Sequence, residues 1–185
     1  VPRDSAALAV GADRVARRIT EEAAARGSDI RLVRNGSRGL FWLEPLVEVA
    51  TPGGRIAYGP VTPQDVAGLF DADFLNGGAH ALHLGPTEQM AYLKSQERLT
   101  CARMGVTDPL SLLDYEAHEG YAGLKRALAL GPAGIVQQVL DSGLRGRGGA
   151  AFPTGIKWKT VLATPAAQKY IVCNADEGDS GTFSD

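Results

Sequence analysis

The chain has 185 residues, of which 44% are hydrophobic and 22% charged, a composition typical of a globular protein with a buried core. The formal net charge of −2 at pH 7 argues against nucleic acid or an anionic membrane as the partner. No apolar run approaches the roughly 18 residues that span a bilayer, and the N-terminus lacks the order of a secretory signal, so we expect a cytoplasmic protein without a membrane span.

The last residues, "GTFSD", interrupt a candidate functional loop. We therefore expect a fragment of a longer protein.

The N-terminal part predicts a small α/β module. Leu8, Val15 and Ile19 recur at helical spacing within an amphipathic helix over Ser5–Arg26, and Gly27 is a stop signal. Short β-rich runs separated by turn residues follow, and they predict strands at "IRLVR", "LFWLEP", "LVEVAT" and "RIAYGPV".

Helices dominate the predictions for the rest of the chain. "TPQD" predicts a second helix from Thr62 to about Phe70. With a strand ahead of Val1, the order of the module would be βαββα. "TDPLSLLDY" predicts a turn and a helix start at Ser111, followed by a helix over Tyr115–Leu130.

Two further predicted helices flank a glycine-rich loop. One covers Pro132–Asp141, with Gly143 as a left-handed cap, and the other covers "IKWKTVLA". After them, "KYIVCNAD" predicts a buried strand that runs into an acidic loop.

The loop between these helices, "GLRGRGGAAFPTGIKW", is the strongest functional signal. Gly146, Gly148 and Ala151 fit the spacing G-x-G-x-x-A, but a Rossmann site requires a strand before the loop, and here a helix precedes it. A Walker loop is excluded because Ile156 follows Gly155 where lysine would have to stand.

Phosphate binding remains compatible with this loop. Consecutive glycines let backbone N–H groups converge on an anion, and Arg145, Arg147 and Lys157 add positive charge. The alternative is a flexible surface loop with incidental arginines. Phe152 within the glycine run favours a ligand loop, because an aromatic ring can stack on a planar group.

A second candidate segment is the acidic loop "CNADEGDSGTF", which carries Asn174, Asp176, Glu177 and Asp179. These side chains can meet ribose or ribityl hydroxyls and heterocycle N–H groups. Calcium binding is a weaker interpretation, because the spacing does not match an EF-hand. A solvated turn is the third alternative.

The cysteines and histidines predict no metal site. Cys101 and Cys173 lie far apart in apolar surroundings, which favours buried free thiols over a disulfide. His80, His83 and His118 are expected to be structural or solvent-facing, because no third ligand accompanies the first pair.

Together, "RGRGGAAFPTGIKW" and "CNADE" resemble the flavin and NADH loops of the NADH-oxidising 51 kDa subunit of respiratory complex I. Relatives of that subunit occur in NAD-reducing hydrogenases and NAD-dependent formate dehydrogenases. The resemblance covers about Leu110 to Asp185. It implies an FMN site and an NADH site. The FMN residues would be Gly146, Arg147, Gly148, Lys157, Asn174, Asp176 and Glu177; for NADH, Phe152 would stack on the adenine and Asp179 would lie near the nicotinamide.

The sequence departs from the complex I pattern at the acidic loop. Asp179 and Ser180 stand where that pattern has Glu and Pro, and Thr160 replaces a second aromatic residue. "EGDSGTFSD" and "TDPLSLLDYEAHEGYAGLKRAL" resemble most the β subunit of soluble molybdenum-containing NAD-dependent formate dehydrogenases.

The resemblance also implies a domain plan. Residues 1–85 would form a thioredoxin-like domain of the 2Fe-2S ferredoxin type. This domain would be degenerate, because "NGSRGLFWLEPLV" holds none of the cysteines that bind a cluster in such ferredoxins. Residues 86–112 would be a linker, and residues 113–185 would begin an α/β domain of the 51 kDa FMN-binding type, truncated here. The family's 4Fe-4S cluster would be bound in the missing C-terminal part.

The implied function is that of a diaphorase subunit. FMN would exchange a hydride with NAD(H) and pass electrons to or from iron-sulfur clusters, with no catalytic side chain required. The implied partners are NAD(H), a 2Fe-2S ferredoxin-like subunit and a catalytic subunit with molybdenum and iron-sulfur centres. The alternatives are a diaphorase subunit of an NAD-reducing hydrogenase or of complex I, or a non-catalytic docking module.

Overall fold

The computed structural model describes residues 1–173. They fall into two compact units, Val1–Tyr121 and the chain from Ala122 onward. The first unit combines helices with a small sheet, which agrees with the predicted α/β class, and the second consists of helices and loops. Within residues 1–173, no helix combines the length and the hydropathy needed to cross a membrane.

The first two helices are α1 (Ser5–Ala9) and α2 (Ala12–Ala25). The Asp4 carboxylate caps α1 by accepting the N–H groups of Ala6 and Ala7 at 3.0 and 3.1 Å. One continuous helix was expected here, but Gly11 interrupts it with a left-handed φ of 102°. The predicted end is confirmed, because Gly27 has a φ of 66° just after α2.

The sheet has three antiparallel strands in the order β1 (Val47–Thr51), β2 (Gly54–Tyr58) and β3 (His83–Pro86). The runs "LVEVAT" and "RIAYGPV" correctly predict β1 and β2. The strand β3 was missed. It contains a glycine and a proline, so its sequence carries little strand propensity, and pairing with β2 determines its conformation.

Two of the predicted strands are wrong. Residues 30–34 form no strand, because no ladder partner is paired with them among the described residues. Within residues 40–45 the chain makes a 3₁₀ turn, Phe41–Leu43, because the N–H of Leu43 bonds to the carbonyl of Leu40 at 2.8 Å.

The third helix, α3 (Val66–Asp71), begins four residues later than predicted. The backbone N–H and the hydroxyl of Thr62 both donate to the Asp65 carboxylate, at 2.8 and 2.6 Å. These bonds hold residues 62–65 in a turn that leads into the helix.

The hydrophobic core of the first unit lies between the sheet and the helices. Tyr58 is its largest fully buried side chain. Its ring packs edge-on against Phe74 at 5.8 Å, and its hydroxyl donates to the carbonyl of Gly78 at 2.8 Å. The buried members of this cluster are Val15, Ile19, Val47, Tyr58, Val61, Val66, Leu69 and Phe74. A smaller cluster holds Leu40, Leu46, Ala57 and Leu93.

A buried ion pair joins the loop before β1 to the strand itself. Arg38 Nε lies 2.9 Å from Glu48 Oε1, and the two side chains are only 2% and 6% exposed. Arg55 on β2 also reaches Glu48, at 3.2 Å. Glu88, which is 61% exposed, contacts Arg38 from outside at 2.9 Å. Glu48 therefore neutralises the buried Arg38 and also pairs with Arg55, whose side chain is 29% exposed.

The same loop is closed by a second buried carboxylate. Glu44 accepts the hydroxyl of Ser37 at 2.7 Å and the N–H of Leu46 at 2.9 Å. Burial raises the pKa of Glu44, and these two hydrogen bonds offset part of that effect. The loop that holds no cysteine is thus fixed by side-chain hydrogen bonds.

The segment predicted to be a linker is attached to the first unit. It contains the short helix α4 (Ala91–Lys94). Further along, the carbonyl of Gly105 accepts from Asn35 Nδ2 at 2.6 Å and from Arg55 Nη1 at 2.9 Å. Cys101 is exposed, so the prediction that it is buried is wrong.

The remaining helices are α5 (Leu112–Ala117), α6 (Ala122–Asp141) and α7 (Thr154–Ala163). The start at Ser111 is confirmed, because its hydroxyl accepts the N–H of Asp114 at 3.2 Å. The continuous helix expected over Tyr115–Leu130 is wrong. It is interrupted after Ala117, where Glu119 and Tyr121 adopt positive φ values of 64° and 59°. Gly131, with a φ of 69°, breaks α6 just before the predicted start at Pro132.

The buried ion pair gives the first prediction. Glu48→Ala should destabilise the first unit by about 3 kcal/mol, because it leaves the guanidinium of Arg38 buried without its main counter-ion. Glu88→Ala removes an exposed carboxylate from the same arginine and should cost less than about 1 kcal/mol. Urea unfolding followed by circular dichroism measures both changes. Equal losses for the two variants would contradict the assigned role of burial.

Candidate functional site

The glycine-rich loop connects α6 to α7, as the sequence predicts. Gly143 adopts a φ of 66° directly after the end of α6, and its N–H bonds to the carbonyl of Leu140 at 3.2 Å. This is the expected left-handed cap. A helix therefore precedes the loop, which confirms the exclusion of a Rossmann site.

Main-chain hydrogen bonds close the base of the loop. The N–H of Gly146 donates to the carbonyl of Phe152 at 2.9 Å, and the N–H of Thr154 donates to the carbonyl of Leu144 at 2.9 Å. Arg145 Nη1 adds a bond across the loop to the carbonyl of Ala151 at 3.0 Å. The segment is thus a closed turn, which favours the ligand-loop interpretation over a flexible linker.

Two cationic side chains and one aromatic ring lie on this loop and on the first turn of α7. The guanidinium of Arg147 donates to the carbonyl of Arg145. The ammonium of Lys157 lies 5.5 Å from the centre of the Phe152 ring, in a cation–π arrangement. The ring remains 45% exposed. Charge and an accessible aromatic surface are therefore adjacent.

The N-terminus of α7 follows the loop directly. Pro153 is the N-cap residue, and within residues 1–173 no side chain caps the helix. The first turn of a helix carries N–H groups without intrahelical partners and the positive end of the helix dipole. Thr154 uses its N–H in the loop closure. Of the two N–H groups that follow it, that of Gly155 lies on a buried residue and that of Ile156 on an exposed one, so the N–H of Ile156 is the one open to an anion such as phosphate.

Gly155 brings α7 into direct backbone contact with α6. It is buried, and a Cβ built on it would lie 2.7 Å from the Cα of Leu140 and 2.8 Å from its N. Backbone atoms cannot move aside as a flexible side chain can. Only glycine therefore allows the two helices to approach this closely.

Five of the predicted site residues lie in the described part of the chain, and they come together on the loop and the first turn of α7. They are Gly146, Arg147, Gly148, Phe152 and Lys157. Four others lie outside the described residues. They are Asn174, Asp176, Glu177 and Asp179.

The expected buried strand before the acidic loop is wrong over residues 169–173. These residues have no strand conformation, and Ile171 is 97% exposed. A strand requires a hydrogen-bonded neighbour, and within residues 1–173 the three strands all lie between Val47 and Pro86. Cys173 is likewise exposed, so the prediction of a buried thiol is wrong there too.

The histidines make local contacts in the first unit. His80 Nδ1 accepts the N–H of Leu82 at 3.1 Å, and the His83 ring packs edge-on against Tyr58 at 5.3 Å. His118 Nδ1 lies 2.8 Å from the carbonyl of Asp114. In the described range 1–173, no group of three or more His, Cys, Asp or Glu side chains is arranged to hold a metal ion.

Sequence reasoning missed two residues that shape the site. Gly155 was used only to exclude a Walker loop, and Pro153 was noted only as part of the loop motif. The combination "PTG" contains a usable signal. Proline is favoured at a helix start, and a glycine two residues later, immediately before the predicted helix "IKWKTVLA", is compatible with close packing.

Comparison with known proteins agrees with this geometry. Residues 139–185 match the family described as the Nuo51 FMN-binding domain. The C-terminal segment is thus similar to the complex I 51 kDa family. The NADP-reducing hydrogenase subunit HndC of Solidesulfovibrio fructosivorans is 56% identical over 86 residues, which cover 46% of this chain and 18% of the relative.

Two other relatives are also similar to this chain over a short stretch of their own length. An NADH-quinone oxidoreductase subunit of Streptomyces coelicolor is 51% identical over 71 residues, which cover 38% of this chain and 16% of the relative. The NAD-reducing hydrogenase HoxS subunit alpha of Cupriavidus necator is 46% identical over 81 residues, which cover 44% of this chain and 12% of the relative. The chain spans less than a fifth of the length of these curated relatives.

The backbone contact between the helices gives the second prediction. Gly155→Ala should destabilise the packing of α7 on α6 by about 1–3 kcal/mol, because the new methyl group meets the Leu140 backbone. Gly123→Ala is the matched control, since beyond its chain neighbours and the nearby backbone of its own helix no atom of the described chain lies within 4 Å of its Cβ position. Thermal unfolding followed by circular dichroism measures both. Full recovery of stability on adding Leu140→Ala would show that the clash involves the side chain and not the backbone.

Proposed function

We propose that the chain from Ala122 onward begins an FMN-binding domain, and that the glycine loop and the N-terminus of α7 bind the FMN phosphate. The observation that carries this proposal is an uncapped helix N-terminus behind a closed, arginine-bearing glycine loop. This geometry lies within the segment that matches the Nuo51 FMN-binding domain.

The residues present fit a phosphate group. The backbone at Gly148 is open, because apart from its two chain neighbours no residue of the described chain has an atom within 4 Å of its Cβ position. A ligand can therefore approach the main chain there. Arg147 and Lys157 supply positive charge at the same place, and charge-assisted hydrogen bonds are the strong ones in phosphate recognition.

We assign roles to the predicted site residues on this basis. Gly146, Arg147, Gly148 and Lys157 would hold FMN, together with Asn174, Asp176 and Glu177. Phe152 would stack on the adenine of NADH, and Asp179 would lie near the nicotinamide. When bound, FMN supplies hydride exchange with NAD(H) and single-electron transfer to or from iron-sulfur clusters. The protein residues bind and orient the two nucleotides, and none of them acts as an acid or base.

The third prediction concerns flavin binding in the complete protein. Gly148→Val should abolish FMN retention, because the isopropyl group would extend from an open Cβ position into the space proposed for the ligand. Gly123→Val is the matched control. Bound flavin is measured by visible absorption and by the fluorescence of the flavin released on denaturation, and addition of NADH should bleach the absorption.

Two outcomes would overturn the assignment. The first is Gly148→Val protein with an unchanged flavin content. The second is a well-folded wild-type protein that stays colourless with excess FMN, which would favour the non-catalytic docking module.

Arg147→Ala should weaken FMN binding by about tenfold, equivalent to about 1.4 kcal/mol.

For the first unit we propose a thioredoxin-like domain without an iron-sulfur cluster, over residues 1–85, that docks a partner subunit. The predicted linker, residues 86–112, contacts this unit, and the flavin domain predicted over 113–185 would begin with the second unit at Ala122. The loop around Ser37 and Glu44 supports the absence of a cluster, because buried hydrogen bonds and the Arg38–Glu48 pair fix it without cysteine ligands.

We further propose that the whole protein is the diaphorase subunit of a cytoplasmic NAD-dependent formate dehydrogenase. The motif "EGDSGTFSD" favours this assignment over a hydrogenase or complex I subunit. The partners would be a 2Fe-2S ferredoxin-like subunit and a molybdenum and iron-sulfur subunit, with a 4Fe-4S cluster bound C-terminal to this sequence.

The fourth prediction identifies the electron donor. A complex isolated through a tag on this subunit should form NADH from NAD⁺ when formate is added, and Gly148→Val should abolish that reaction. Hydrogen and a quinol are tested in parallel, and NADH formation is followed by its ultraviolet absorption. Activity with hydrogen and none with formate would instead assign the subunit to a hydrogenase.

A further inference from the structure

Arg145 lies at the closed base of the glycine loop. Its main chain pairs with that of Pro153 in an antiparallel bridge. The two main-chain hydrogen bonds that close the loop lie on either side of this bridge. The Arg145 side chain therefore extends from a backbone position that is fixed on both sides.

The tip of the loop, residues 147–151, has few hydrogen bonds of its own. Among the described residues, the carbonyl oxygen of Ala151 is the one main-chain atom of this tip that has a partner, and it accepts from Arg145 Nη1 at 3.0 Å. In the same part of the chain, none of the main-chain N–H groups of residues 147–152 donates a hydrogen bond. The guanidinium of Arg145 therefore fixes the main chain of the tip to the base.

The main chain that Arg145 holds is strained. Ala151 has a φ of 49°, in the left-handed region, where the Cβ of an alanine comes too close to a carbonyl oxygen. Such a conformation persists only where the surrounding structure imposes it. The adjacent Ala150 has no positive φ, so only one of these two alanines is strained in this way. The bond from Arg145 is the contact that can impose the conformation of Ala151.

We propose that Arg145 is a positioning residue of the FMN site, which keeps Ala151 in its left-handed conformation and so presents the N–H groups of the loop to the ligand. This inference rests on the proposed function, and it adds a residue that acts without touching FMN. Because the peptide unit is planar and trans, fixing the carbonyl of Ala151 also fixes the direction of the next N–H, that of Phe152. Arg147 differs, since its guanidinium donates to the carbonyl of Arg145 and not to Ala151.

The test is a double-mutant cycle in the complete protein, with FMN affinity measured by the quenching of flavin fluorescence. Arg145→Met removes the donors and keeps an unbranched side chain, and it should weaken FMN binding by about fivefold, equivalent to about 1 kcal/mol. In an Ala151→Gly background the same substitution should cost less than about twofold, because glycine adopts a positive φ without a partner. Ala150→Gly is the matched control background, in which the full loss should remain.

A second measurement needs no flavin. In the flavin-free protein, Arg145→Met should speed hydrogen exchange over residues 144–154 by about threefold or more, because the tip is no longer held to the base. The Ala151→Gly background should remove this difference. A protein that binds no FMN but shows this exchange pattern would refute the proposed function and still support the positioning of the loop by Arg145.

Two results would overturn the proposal. An equal loss of FMN affinity from Arg145→Met in the wild-type and Ala151→Gly backgrounds would show that the arginine acts on the ligand directly through its charge. Unchanged hydrogen exchange in Arg145→Met would show that Ala151 keeps its conformation without the guanidinium.

Discussion

The contact between Gly155 and the backbone of Leu140 determines the geometry of the second unit. It fixes the first turn of α7 against the last turn of α6, so the glycine loop must connect two points whose separation is set. The loop closes on itself through the bonds from Gly146 to Phe152 and from Thr154 to Leu144. These bonds use main-chain groups. Among the side chains, the guanidinium groups of Arg145 and Arg147 add bonds to loop carbonyls.

In the proposed function, the loop attracts an anion through local features and not through the overall field. The whole chain carries a formal charge of −2, and the Debye length at physiological salt is about 8 Å. Long-range attraction is therefore weak. What remains is the dipole of α7 and the cations of Arg147 and Lys157, which act at contact distance. Such a site discriminates phosphate by geometry, and this is consistent with a bound nucleotide rather than an extended polyanion.

The sequence predicts the local signals well and the long-range pairings poorly. The helix starts at Ser5 and Ser111 and the cap at Gly143 were all placed correctly, because each is determined by a few adjacent residues. The strand β3 and the coil at residues 30–34 were missed, because strand formation depends on a partner distant in sequence. Periodicity also failed to show the helix interruption at Glu119 and Tyr121.

In the candidate site, too, the sequence predicts the local features and misses a contact between residues distant in the chain. The motif identified Gly146, Arg147, Gly148, Phe152 and Lys157 as neighbours, since they lie within one turn and the start of one helix. It gave no indication of the Gly155–Leu140 contact, which joins residues fifteen apart in the chain through packing. In residues 122–173, Leu124, Leu128 and Ile171 remain more than half exposed, and the buried hydrophobic residues of the described chain all lie between Ala7 and Leu93. Within residues 122–173 the helix pair therefore has no fully buried hydrophobic residue, and half-buried side chains such as Val136 and Val139 add to this backbone contact and the loop closure. A substitution at Gly155 would consequently displace the helix dipole from the glycine loop, and would weaken anion binding without touching any side chain of the site.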